Sequence, residues 1–120
     1  MNRVIKFRAW DKHNKEMTTV NSWLFSTDEI DADNNMGEPK MTYHYDIMQF
    51  TGLLDKNGND IYEGDIVRLH YGSVYIIEFV QKLALYSICR PAGHVASYPF
   101  VDNERCEVIG NIHENPELIK

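Results

Sequence analysis

Four carboxylates crowd one short stretch of the chain: Asp55, Asp60, Glu63 and Asp65, within LDKNGNDIYEGDIV. Two such groups held in reach of a substrate can act as general acid and general base. With a metal ion between them they would suit a hydrolase. The same residues have a plainer use. Asp accepts hydrogen bonds from backbone N–H groups two residues on, so it gathers where a chain reverses. Asn57-Gly58 and Glu63-Gly64 interleave with these acids, and turn chemistry is the stronger reading.

Other reactive side chains form no constellation. His13, His44, His70, His94 and His113 lie far apart, with neither i, i+4 nor His-x-His spacing. His70, on an expected strand near the carboxylates, is the one best placed to matter, and a solvent-facing imidazole is the default. Cys89 and Cys106 fit neither a zinc knuckle nor a redox pair, and both fall in apolar expected strands, as buried free thiols. A disulfide between them would require adjacent strands. Asp31, Asp33 and Asn35 occupy positions 1, 3 and 5 of a calcium loop, but Met36 stands at position 6 and Thr42 at position 12, where the geometry demands Gly and Glu. A second start at Asp55 fails in the same way. No Gly-x-Ser-x-Gly and no phosphate-binding glycine loop occurs. The expectation is no catalytic residue, no cofactor and no metal.

The elements that would position these residues read as strands. Ile5, Phe7 and Ala9 alternate against Lys6, Arg8 and Trp10, giving a strand over residues 3–10, and residues 17–20 return antiparallel. Residues 21–30 carry no sustained period, and residues 31–40 read as a solvated acidic loop. Residues 43–50, 66–71, 74–80, 83–90 and 106–112 read as further strands. Asn57-Gly58 is the signal for a type I′ hairpin turn. Pro99 bars residues 95–101 from a central strand. Gly110 marks a bulge or close backbone approach, and Asn115-Pro116 opens one helical turn. At 120 residues and 43% hydrophobic, the chain has length for a single domain, 1–120. Its expected parts are an N-terminal hairpin and variable loop over 1–48 and a β-barrel-like core over 49–120. The fold class is mainly β, with a small SH3-like barrel or meander in the C-terminal half.

Eighteen acids against twelve Lys and Arg give a net charge of −6. Sequence-independent nucleic-acid binding depends on neutralising phosphates, so this balance argues against it, and against anionic membranes too. No apolar run approaches the roughly 20 residues of a membrane helix, and the first ten residues lack a signal-peptide pattern. A soluble, cytoplasmic protein is expected.

Three segments carry a family likeness. Met48-Gln49-Phe50-Thr51-Gly52-Leu53, Asp55-Lys56-Asn57-Gly58 and Ile61-Tyr62-Glu63-Gly64-Asp65-Ile66-Val67 resemble the core motif of the YopX family of phage and prophage proteins. Ile5-Lys6-Phe7-Arg8-Ala9-Trp10-Asp11 resembles its N-terminal signature. Val108-Ile109-Gly110-Asn111-Ile112-His113-Glu114-Asn115-Pro116-Glu117-Leu118 resembles its C-terminal one. The likeness spans nearly the whole chain and is least over residues 18–46 and 81–104. It implies a phage- or prophage-encoded protein in a bacterial host cell, of a family with no agreed catalytic residues to carry over.

What remains is an aromatic surplus. Trp10, Tyr43, Tyr45, Tyr62, Tyr71, Tyr75, Tyr86 and Tyr98 exceed what so small a core can take, and Tyr and Trp suit interfaces. The leading reading is a non-enzymatic accessory module that binds itself or a host or phage protein, with Trp10, Tyr62, Tyr71 and Arg8 as candidate contacts. For Trp10 the plainer reading is an aromatic that covers a sheet edge. The alternative is a small barrel binding single-stranded nucleic acid through Arg3, Lys6, Arg8, Trp10 and Lys12. A metal-dependent hydrolase ranks third.

Overall fold

The computed structural model describes residues 3–90, 97–100 and 103–119. The chain divides into two compact units, Met1–Gln49 and Phe50–Lys120. Antiparallel strands and short 3₁₀ turns make up both.

The first unit contains β1 (Phe7–Asp11), β2 (Glu16–Leu24), β3 (Glu29–Ala32), β4 (Lys40–Met41) and the first half of β5 (Tyr45–Leu54). They pair in the order β4-β3-β2-β1-β5. Alternation sets the buried face. Ala9 stands opposite Thr18 on β2 and Ile47 on β5, and Val20 stands opposite Ala32. Ala9, Ile30, Ala32 and Tyr45 form the core, with Val20, Trp23 and Ile47 packed against it.

Two expectations change in this unit. Its first strand begins at Phe7 rather than Arg3, and residues 3–6 lie outside every strand. The expected acidic loop is in part β3. Ile30 and Ala32 bury one face while Glu29 and Asp31 stay half-buried on the other, and only then does a 3₁₀ turn, Asp33–Asn35, follow. Four residues with two acids are too few for a period of two to announce itself.

The second unit contains the end of β5, β6 (Asp60–Tyr62), β7 (Asp65–Leu69), β8 (Val74–Val80), β9 (Leu85–Cys89), β10 (Ser97–Pro99) and β11 (Cys106–Asn111). Beyond Gln49, β5 pairs with β6, Phe50 opposite Tyr62. The other five strands form a sheet in the order β10-β9-β8-β7-β11, a meander whose last strand returns beside its first. Ile61, Val67, Leu69, Tyr75, Ile77, Ile88, Phe100 and Cys106 make the core. Fully burying one such aliphatic side chain contributes roughly 2 kcal/mol.

The meander expectation holds and the barrel does not: among the described residues this sheet is open, with β10 and β11 at its edges. The outer edge of β11 meets a turn instead of a strand. Lys56 donates its N–H to the Cys106 carbonyl at 3.0 Å, and Val108 donates its N–H to Asp55 Oδ2 at 2.9 Å. Pro99 ends the edge strand β10, where its missing N–H leaves no ladder bond unmade. Gly110 does both things expected of it. The β11–β7 register shifts between Val108 and Gly110, and a Cβ at Gly110 would lie 2.5 Å from Asn115 Oδ1.

The hairpin turn at Asn57-Gly58 is of another type than expected. Gly58 has φ +82, but Asn57 is absent from the positive-φ residues. Gly58 N–H donates to the Asp55 carbonyl at 3.0 Å, and Asp55 N–H donates to the Asn59 carbonyl at 2.9 Å. This is a three-residue loop closed by a left-handed glycine rather than a type I′ turn. The same construction recurs at residues 70–72. Gly72 N–H donates to the Leu69 carbonyl, Leu69 N–H donates to the Ser73 carbonyl, and Gly72 has φ +95. His70 and Tyr71 therefore sit in a turn, beyond the strand expected to hold them.

Candidate functional site

Two of the four crowded acids, Asp55 and Asp65, latch turns. Asp55 is buried, and its Oδ1 accepts the N–H groups of Asn57 and Asn59, both at 2.9 Å. Its Oδ2 accepts Val108 N–H and, at 3.4 Å, Asn59 Nδ2. Burial alone would push this carboxyl up. The donors from Val108, Asn59 and Asn57 outweigh it and hold its pKa below the usual range. Asp65, also buried, accepts Tyr62 N–H at 2.7 Å. Asp60 and Glu63 are half-buried. A carboxylate whose lone pairs are filled by N–H donors stays ionised and has little basicity to lend a reaction.

Asp11 repeats the device in the first unit. Its Oδ1 accepts His13 and Asn14 N–H at 3.0 Å, and its Oδ2 accepts Asn14 Nδ2 and Asn34 Nδ2. Against the upward push of burial, the Asn14, Asn34 and His13 hydrogen bonds lower its pKa to about 2. Asn111 does the same at the C-terminal turn, its Oδ1 accepting His113 and Glu114 N–H. His113 thus contributes a backbone donor to a cap. The Tyr45 hydroxyl is buried, and burial, then Asp11 and Asp31, push it up.

Among the described residues, no group of three or more His, Cys, Asp or Glu is placed to hold a metal ion. Cys89 and Cys106 are buried and free, on strands separated by β8 and β7. Burial, then Glu78, pushes the Cys89 thiol up to about 11, far from a nucleophile's range. His94 lies outside the described residues.

Of the expected contact residues, Arg8 and Trp10 share one face of β1, opposite Thr19 and Met17 of β2, and both are half-buried. Lys12 is engaged by Asp46 at 3.6 Å and by the Tyr43 carbonyl at 3.3 Å. Tyr62 ends β6 with its ring 5.6 Å from Phe50. Tyr71 is 58% exposed, edge-on to His70, with its hydroxyl 3.3 Å from that of Tyr75. The Tyr98 side chain lies outside the described residues.

An aromatic cluster with an exposed outer ring was not anticipated. Phe7 meets Trp23 edge-on at 5.3 Å between ring centroids, and Trp23 meets Phe25 at 4.8 Å. Phe25 is 74% exposed. In the same unit Val4 and Ile5, just before β1, are 63% and 59% exposed. Trp23 Nε1 is buried with no hydrogen-bond acceptor among the described residues. The sequence signal was the apolar triplet Trp23-Leu24-Phe25 directly before the polar Ser26-Thr27-Asp28, a run too apolar for a solvated loop. Large exposed side chains clustered in this way mark interaction surfaces more often than isolated ones do.

A family model described as YopX protein matches residues 6–120. The crystal structure of protein EF1440 from Enterococcus faecalis is similar at 30% identity, over 99% of this chain and 100% of that one, with a TM-score of 0.73. The crystal structure of protein yopX from Bacillus subtilis is similar at 16% identity, over 99% and 98%, with a TM-score of 0.58, which bears on the fold alone. No curated protein matches the chain.

Proposed function

The chain belongs to the YopX family, and on that premise we propose that it is a non-enzymatic, phage- or prophage-encoded accessory module of the host cytoplasm. It acts by binding protein, either itself or a host or phage partner. The observation that carries this reading is the Phe7–Trp23–Phe25 cluster with its exposed outer ring. Aromatic anchors of this kind dominate binding energy at protein interfaces. The latched state of Asp11 and Asp55 supports the non-enzymatic half, since neither has a free lone pair or a proton to exchange near neutrality.

Light scattering after size exclusion, with a pull-down from host and phage-infected lysate, tests it. Phe25→Ser should weaken the association without lowering stability, because the ring is largely in solvent. A strict monomer that captures nothing counts against the reading.

A second reading keeps one observation in its favour. Arg8 and Trp10 share a strand face, as a base-stacking platform would require. Lys12 is held by Asp46 and the net charge is −6, both unfavourable to phosphate. Fluorescence anisotropy with single-stranded oligomers at low salt decides it.

A further inference from the structure

We propose that two copies of this chain exchange their N-terminal segments, residues 3–6 of each adding as a strand to the free edge of β2, residues 21–24, in the other. This deepens the self-binding half of the proposed function and rests on it.

The first argument is which edges are guarded. β4 has two residues, β6 has three, β10 has three and ends in Pro99, and β11 is bulged and already engaged by Asp55 and Lys56. Short, proline-bearing, bulged or covered edges resist pairing with another chain. β2 is different. It pairs with β1 only as far as Thr19, yet runs on to Leu24. Among the described residues, no strand pairs with its β1-facing edge from residue 20 onward.

The second argument is the segment itself. Residues 3–6 lie outside every strand, and Arg3, Val4 and Ile5 are exposed. Their alternation with Phe7 and Ala9 suits a strand. The chain's own copy is poorly set to supply it. The β2–β3 register shifts between Val20 and Ser22, so β2 bends where β1 ends, and Phe7 has its partner Gln49 on β5.

The third argument is charge. Residues 3–10 hold Arg3, Lys6 and Arg8 and no acid, in a chain of net charge −6. Residues 20–38 hold Asp28, Glu29, Asp31, Asp33 and Glu38 and no base. The open edge belongs to an acidic hairpin, and the segment that fits it is basic. Trp23 and Phe25 give that edge an apolar floor for Ile5, on the face of Phe7. Reciprocal exchange closes a two-fold dimer, the same two surfaces meeting twice.

Two sets of variants test the exchange. Carrying the Arg8–Thr19 register past the extra residue at the bulge of β2 places residue 4 opposite residue 24, so Val4→Cys with Leu24→Cys should give a covalent dimer under mild oxidation. The native thiols are buried, and each single Cys variant is the control for chance collision. An intrachain bond, or no bond, overturns the exchange. In the second set, Arg3→Glu with Lys6→Glu, and separately Glu29→Lys with Asp31→Lys, should each be monomeric alone. Mixed, they should form a heterodimer, since both contacts are then attractive again. Wild-type self-association that survives both charge variants overturns the exchange and leaves the proposed function standing. So does a monomeric wild type that captures a different protein.

Discussion

Asp55 Oδ2 lies 2.9 Å from the backbone nitrogen of Val108, 53 residues further along the chain. The other oxygen of the same carboxylate closes its own hairpin through Asn57 and Asn59. One side chain therefore sets a local turn and fastens that turn to the edge of β11. Lys56 adds its N–H to the Cys106 carbonyl. Its ammonium, 3.3 Å from Glu107, is half in solvent and adds little. The densest turn chemistry in the sequence is thus a long-range tie.

Removing that carboxylate should be felt globally. Asp55→Ala leaves the N–H groups of Asn57, Asn59 and Val108 without their acceptor, at a cost of about 3 kcal/mol. Asp55→Asn keeps one acceptor and turns a donor toward donors, at about 2 kcal/mol. Urea unfolding of the three proteins measures both. Equal midpoints would mean that the tie does not contribute.

The loop after Asp55 predicts an asymmetry between neighbours. Gly58 occupies φ +82, where an added Cβ is strained, although open space surrounds it. Gly58→Ala should cost about 1 kcal/mol, for backbone reasons alone. Asn57→Ala should change stability by under about 0.5 kcal/mol, since Asn57 contributes its backbone N–H and is exposed. A type I′ turn would make both positions sensitive.

That contrast shows what was legible in the sequence and what was not. Residue types at turns declare themselves: Asp55, Gly58, Gly64, Gly110 and Asn115 each do the kind of work their chemistry suggests. The turn type at Asn57-Gly58 did not, because the same dipeptide serves two backbone solutions and the flanking register chooses between them. Strand β7 was readable from its β-branched run, but not that both its faces are covered at the start, where Ile66 is as buried as Val67. Strand β3 was hidden because Glu29 and Asp31 mask Ile30 and Ala32. The open C-terminal sheet was beyond reach, since closure depends on whether a strand or a turn meets β11. The Phe7–Trp23–Phe25 cluster needed the pairing of β1 with β2 to bring residues 7 and 23 together.

Acid should unfold the protein through its latches. Asp11 titrates at about 2 in the fold, against about 3.9 in an unfolded chain, and Asp55 is shifted the same way. A folded pKa below the unfolded one means that the unfolded chain takes up the proton first. The contribution is fully present above the unfolded pKa and is lost as pH falls through the folded one. For Asp11 that loss is about 2 kcal/mol, spread from about pH 5 down to about pH 2. Urea midpoints across this window should fall in the native protein. In Asp11→Asn they should start lower and fall less.

Both thiols should be silent in the fold. With its pKa at about 11, Cys89 is thiolate at pH 8 to only about one part in a thousand, and it is buried. Cys106 is fully buried and directs its Sγ at the Asn103 carbonyl at 3.3 Å. A maleimide added to the native protein should label neither residue, and in urea it should label both. Rapid labelling of Cys89 in the native state would show that the strand β9 opens easily.

The last turn tests close approach. A Cβ at Gly110 would meet Asn115 Oδ1 at 2.5 Å and its Cγ at 2.7 Å. Asn115 cannot simply swing away, because its Oδ1 accepts Asn111 N–H at 3.2 Å and its carbonyl accepts Leu118 N–H. Gly110→Ala should therefore destabilise by about 2 kcal/mol. Asn115→Gly alone should cost about 1 kcal/mol, through the lost acceptor. Combined, the two should cost less than their sum, because the second removes the atoms that the first collides with. A coupling of about 1 kcal/mol in the double-mutant cycle is the expected signature. Strict additivity would mean that the strain at Gly110 lies in the bulge of β11 and not in the contact with Asn115.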